Sequence, residues 1–113
     1  VGILTDVRVD DTKLLPFFGT GAGLSRMPAW LSMKTGIDIV PAYCERTGQA
    51  RFRVTFYPSL PSPPEGMPED EAIEMLSMKI VRVLETRIRE HPDQWMCTNR
   101  RWPKQVMRER GVY

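Results

Sequence analysis

IDIVPAYCERTGQARFRVTFY, residues 37–57, holds two extended stretches around a turn. In RFRVTFY (51–57), Phe52, Val54 and Phe56 lie on one side and Arg51, Arg53 and Thr55 on the other. Such period-two alternation marks an antiparallel strand with one solvated face. IDIVPAYCE (37–45) reads as the strand before it, and TGQA (47–50) as the hairpin turn between them. PSLPSPPEGMP (58–68) is a proline-rich connection without regular structure. Pro68 and the acids Glu69, Asp70 and Glu71 then suit a helix start, since carboxylates there face the positive end of the helix dipole. The helix runs to about Glu90, with Ile73, Leu76, Ile80, Val83, Leu84 and Ile88 on its core face and Glu85–Arg89 spaced as an i,i+4 pair.

Toward the N-terminus, VGILT (1–5) is a short apolar run that reads as a buried strand, followed by the polar loop DVRVDDTK. LLPFF (14–18) is a second extended stretch, kept off a central position by Pro16, and GTGAG (19–23) is a turn. Leu24–Lys34 carries a helix-like apolar stripe, with Gly36 placed as its C-terminal cap. Pro92 restarts a short helical turn. This order predicts an α/β fold in which residues 1–5, 37–45 and 51–57 are strands of one mixed sheet. The long helix covers that sheet with Ile73, Leu76, Ile80 and Leu84 inward. The expected organisation is one partial domain over 1–113, with a tail at 103–113. An exposed apolar edge is expected, covered by self-association or by another chain.

A chain of 113 residues fits one small domain or part of a larger one. It opens on VGILTD with no initiator methionine, which predicts a piece that begins inside a longer protein. No run of about 18 apolar residues is present to span a membrane. Cys44, Cys97 and the single histidine, His91, are too few for a four-ligand zinc site, and nothing calls for a cofactor. The net charge of +2 is uneven: residues 87–110 carry +4 and the rest −2. A basic tail of this kind points to an anionic partner.

Among the chemical candidates, GTGAG lacks the Lys-Ser/Thr of a phosphate-binding loop and is better read as a turn. Asp6 ends the first strand, where α/β proteins place their sites, whereas Asp10 and Asp11 read as solvated loop acids. His91 stands at a helix junction and suits a capping or surface role better than general-base work. In HPDQWMCTNRRWPK (91–104), Trp95 and Trp102 bracket Arg100 and Arg101. Two readings of that stretch stand open. In one, the indoles clamp the tail while the arginines face water. In the other, the segment is an amphipathic edge whose guanidiniums bind phosphate. Nucleic-acid binding finds no support, because Phe52 and Phe56 lack the context of an RNA-binding strand.

LPFFGTGAG, MPAWLSMKTG, DIVPAY, FRVTFYPSLPSP, the long helix and HPDQWMCTNRRWP occur in one order. That order resembles the C-terminal half of the bacterial lipid A late acyltransferases, the lauroyl/myristoyl acyltransferase family. The resemblance covers nearly the whole chain and implies a fold similar to the glycerol-phosphate acyltransferases. It implies a membrane-associated enzyme on the cytoplasmic face of the bacterial inner membrane, meeting an anionic membrane surface. That enzyme would move an acyl chain from acyl carrier protein to a hydroxyl of a lipid A precursor or related glycolipid. The family's His-x4-Asp/Glu motif is not in this chain, which is therefore expected to be inactive by itself. Asp6 matches the family's acidic residue after the strand, though Val7 and Arg8 depart from the polar residue that usually follows. Pro41 matches its Val-Pro block. Arg100 and Arg101 match its His-Arg-Arg run, with Asn99 in place of the histidine and Pro103 in place of a common lysine. By resemblance, Asp6, Arg100 and Arg101 contact substrate, with Pro41, Trp95 and Trp102 as structural neighbours. The other class of function in view is a non-catalytic module that binds anionic lipid or a protein partner.

Overall fold

Proline and glycine punctuation sets the first element. Leu15–Phe17 (β1) and Thr20–Ala22 (β2) pair antiparallel, with Leu15 opposite Ala22 and Phe17 opposite Thr20. The two-residue turn between them, Phe18 and Gly19, has positive φ at both positions (50° and 75°), as a tight hairpin with the right twist requires. The stretch read as a plain turn thus contributes a strand of its own. These observations come from a computed structural model, which describes residues 1–97 and 100–111. Asn99 lies outside the described residues.

The chain divides into two compact units, one formed by Val1–Ser25 and Met96–Tyr113, the other by Arg26–Trp95. In the first, the β1–β2 hairpin buries Leu15, Phe17, Ala22 and Leu24. Lys104–Glu109 forms a short helix (α3) within the stretch read as a tail. The expected strand at residues 1–5 is absent. A buried strand needs hydrogen-bonded neighbours on its edges, and among the described residues nothing pairs with this run, whose Val1, Ile3 and Leu4 are exposed.

In the second unit, Met27–Thr35 (α1) starts on Pro28 and ends on Gly36, whose N–H donates to Ser32 O at 2.8 Å. The apolar stripe expected from Leu24 onward does not pack as one face: Pro28 and Ala29 are buried, while Met27, Trp30 and Met33 are exposed. Ala42–Gly48 (β3) and Arg51–Phe56 (β4) form the expected hairpin, with a bulge between Arg46 and Gly48. Residues 37–41 lie outside its ladder. The described residues therefore form two separate two-stranded antiparallel sheets, not one mixed sheet. Alternation along a strand marks its faces but does not name its neighbours, so the pairing was not determined by the pattern.

Glu69–Glu90 (α2) matches the bounds read from sequence. It packs on α1, not over a sheet. Ala29, Ile73 and Leu76 make the shared core, with Ile39 and Leu60 against it. Full burial of Ile73 and Leu76 contributes about 1.5–3 kcal/mol each before entropy. Ile80 and Leu84 are only half-buried, and the inner strip turns instead toward Ala72, Ser77 and Val81. Lys34 Nζ and Glu69 Oε1, 2.8 Å apart, join the two helices, and Glu85 and Arg89 meet at 4.0 Å. No helix among the described residues is long and apolar enough to cross a membrane.

Candidate functional site

Backbone contacts bring the first polar loop onto the β1–β2 hairpin. Arg8 forms an antiparallel bridge with Leu24, and Val9 N donates to Gly23 O at 3.0 Å. Gly23 makes this approach possible, because a Cβ there would stand 1.9 Å from Val9 O. Asp6 and Asp10 stand two positions to either side of this bridge, each at a bend of the chain.

Arg101 meets Asp6. Its side chain is only 6% exposed, and its guanidinium lies 5.2 Å over the Phe17 ring. Nε stands 3.2 Å from Asp6 Oδ1, an ion-pair distance without the alignment of a hydrogen bond. Nη1 and Nη2 are buried and have no hydrogen-bond partner among the described residues. Burial pulls the Arg101 guanidinium below its ordinary pKa, and the neighbouring Asp6 carboxylate opposes that pull. Both readings of the sequence left the two arginines open to water or to phosphate. Arg101 is instead inside, because the Phe17 ring and Asp6 give its charge a place to sit.

Arg100 is half-buried, and its carbonyl accepts a hydrogen bond from Arg8 Nη1 at 3.1 Å. Arg8 is itself held by Asp10, through Nε at 3.2 Å and Nη2 at 3.3 Å. Trp102 donates Nε1–H to Phe17 O at 3.3 Å and packs its ring 5.7 Å from the Phe17 ring. Arg101 thus sits over Phe17 and against Asp6, with the Arg8–Asp10 pair bound to the Arg100 backbone and Trp102 fastened to Phe17. Such a cluster can bind and orient an anion. Among the described residues it contains no general base paired with a nucleophile.

Pro41 and Trp95 belong to the other unit. Pro41 O accepts from Tyr57 N at 2.9 Å, and Trp95 N donates to Pro92 O at 3.3 Å. His91 caps α2, its N–H donating to Arg87 O at 3.1 Å. Its ring stacks on Tyr43 and its Nε2 stands 3.5 Å from Glu45 Oε2. Sequence reasoning missed Arg8 and Phe17 as members of the cluster. The alternation of Asp6, Arg8 and Asp10 was the available signal for Arg8; Phe17 looked like any core aromatic.

A family model described as bacterial lipid A biosynthesis acyltransferase matches residues 1–104. No curated protein and no solved structure matches the chain. With all but the last nine residues matched, the chain belongs to the bacterial lipid A biosynthesis acyltransferase family, and its function is of that type.

Proposed function

We propose that this chain forms the acceptor side of an acyltransferase that takes a fatty acyl group from acyl carrier protein and gives it to a lipid A precursor or related glycolipid. In that reaction an acceptor hydroxyl oxygen attacks the thioester carbonyl carbon. The carbon–sulfur bond breaks, and the hydroxyl proton ends on the departing thiol. The residues described here orient the acceptor. The enzyme works at the cytoplasmic face of the inner membrane, bound peripherally to its anionic surface, and its complete fold is of the glycerol-phosphate acyltransferase kind.

The observation that carries this reading is the buried Arg101 guanidinium held against Asp6, beside an Arg8 that is bound to the Arg100 backbone. Arg101 acts from beneath: its ion pair with Asp6 fixes the segment, and its unpartnered Nη groups keep the local potential positive. Arg100 and Arg8, which are more exposed, receive a phosphate of the glycolipid. Arginine suits this task because its planar fork meets two phosphate oxygens at once.

The test is binding of the folded chain to a phosphorylated lipid A precursor and to its dephosphorylated form, across a salt series. The phosphorylated lipid should bind more tightly, and Arg100→Ala should erase the difference without lowering thermal stability. Equal binding of both lipids would remove the acceptor role. Binding to any anionic vesicle, regardless of the sugar, would favour a lipid-surface module instead.

A further inference from the structure

The β3–β4 hairpin has one covered face and one bare face. On the covered face Tyr43 stacks against His91, and Glu45 meets both His91 and Arg53. On the bare face Phe52, Val54 and Phe56 are 64%, 54% and 72% exposed, and their cross-strand partners Cys44 and Ala42 are exposed too. We propose that this bare face docks one amphipathic α-helix of a partner, with carboxylates at the helix's C-terminal end lying over the hairpin turn.

Size, edge chemistry and charge choose this occupant. Two strands about 4.8 Å apart present a strip about 10 Å wide with their side chains, which is the width of one helix. Six residues of β4 run about 20 Å, so the strip offers about 200 Å².

The outer edge of β4 argues against a bilayer. Arg46 N–H donates to Gln94 Oε1 at 3.1 Å, and Arg46 O accepts from Gln94 Nε2 at 3.0 Å. Arg46 and its partner Phe52 are therefore a pair that does not hydrogen-bond across the ladder. By alternation, the backbone groups of Phe52, Val54 and Phe56 point outward from β4. Sinking the face into hydrocarbon would strip those groups of water with nothing in exchange, whereas a helix covers the face and leaves the edge wet. An added strand would satisfy the edge and leave the aromatic face bare.

Charge sets the direction of the helix. Arg46 and Arg51 are exposed at the turn end, and neither has a carboxylate within ion-pair distance among the described residues. Arg46 is held there by hydrogen bonds to Gly48 O, at 3.0 Å, and to Gln49 O. A helix C-terminus, negative by its dipole and by added carboxylates, complements that end.

The test titrates isotope-labelled full chain with two synthetic helical peptides that share one leucine stripe. One carries glutamates in its last turn, the other lysines. The acidic peptide should shift the signals of Phe52, Val54 and Phe56 and bind about tenfold more tightly, the worth of two exposed ion pairs. Arg46→Glu with Arg51→Glu should reverse the preference. The amides of Phe52, Val54 and Phe56 should go on exchanging with solvent in the complex. Phe52→Ser with Phe56→Ser changes only exposed side chains, so it should keep the fold and abolish binding. The proposal is overturned if neither peptide binds or if those amides become protected, as a strand would protect them. It is also overturned if the chain dimerises through Phe52 and Phe56, or binds phosphatidylglycerol vesicles through them.

Discussion

Replacing Asp6 by asparagine should destabilise the unit that contains Arg101, and a second change, Arg101→Met, should restore it. Arg101 carries a charge that is 94% buried by side-chain area, and its contact to Asp6 Oδ1 is 3.2 Å. With charge centres about 4 Å apart and an effective dielectric near 20, the attraction is about 4 kcal/mol. Asp6 keeps one third of its side chain in water, which screens part of that. Asp6→Asn removes the attraction while leaving the guanidinium desolvated, so it should cost about 2–3 kcal/mol. Methionine at 101 keeps most of the volume over Phe17 and removes the charge together with its unpartnered Nη groups. The double variant should therefore return to within about 1 kcal/mol of the parent or exceed it. Urea unfolding followed by Trp102 fluorescence measures this, with Trp30 and Trp95 replaced by phenylalanine so that one indole reports. The reasoning fails if Asp6→Asn costs less than about 0.5 kcal/mol, or if Arg101→Met makes Asp6→Asn worse instead of better.

Leu76→Ala should cost about 2–5 kcal/mol in chemical denaturation, because Leu76 is 3% exposed between Ala29 and Ile73. Ser77→Ala should raise stability by about 1 kcal/mol in the same assay: the Ser77 hydroxyl is buried without a partner among the described residues, and alanine is the better helix former. Tyr43 has its pKa raised above 10.0, first by burial and then by Glu45. Its neutral form is thus favoured in the folded state, a contribution present in full below pH 10 and lost as pH rises through the higher folded value. Tyr43→Phe should flatten that alkaline loss in thermal melts taken from pH 9 upward, and an unchanged slope would count against it.

The parts legible in the sequence are those whose cause is local. Pro68 followed by three acids, then apolar residues at helical spacing, determines α2 without reference to any neighbour. Gly36 ends α1 and the turn before Arg51 closes the second hairpin for equally local reasons. Pairing is not local. VGILT has the composition of a buried strand, but its pairing depends on edges elsewhere. The α2 face also turned on its partner: packing on α1 draws Ala72, Ser77 and Val81 inward, and Ile80 and Leu84 are left half-covered. At the candidate site, Asp6 and the two arginines stood out by charge beside apolar residues. That Arg101 would be buried depended on Phe17, 84 positions away, and on the approach Gly23 allows.

Gln94 has an effect beyond the hairpin it touches. By answering both backbone groups of Arg46, its amide acts as a one-residue strand and occupies that stretch of the β3 edge. Among the described residues no strand pairs with the outer edge of β4. A sheet that grows into a fibre must accept a new strand on both sides, whereas one with a plugged side can pair once, with its mirror position on another copy, and then stops. On the β3 side, Gln94 thus denies an edge-to-edge filament its second contact. Gln94→Ala reopens the second side, and dye-binding fibrils formed by that variant but not by the parent would be the mark of a safeguard held in a single amide.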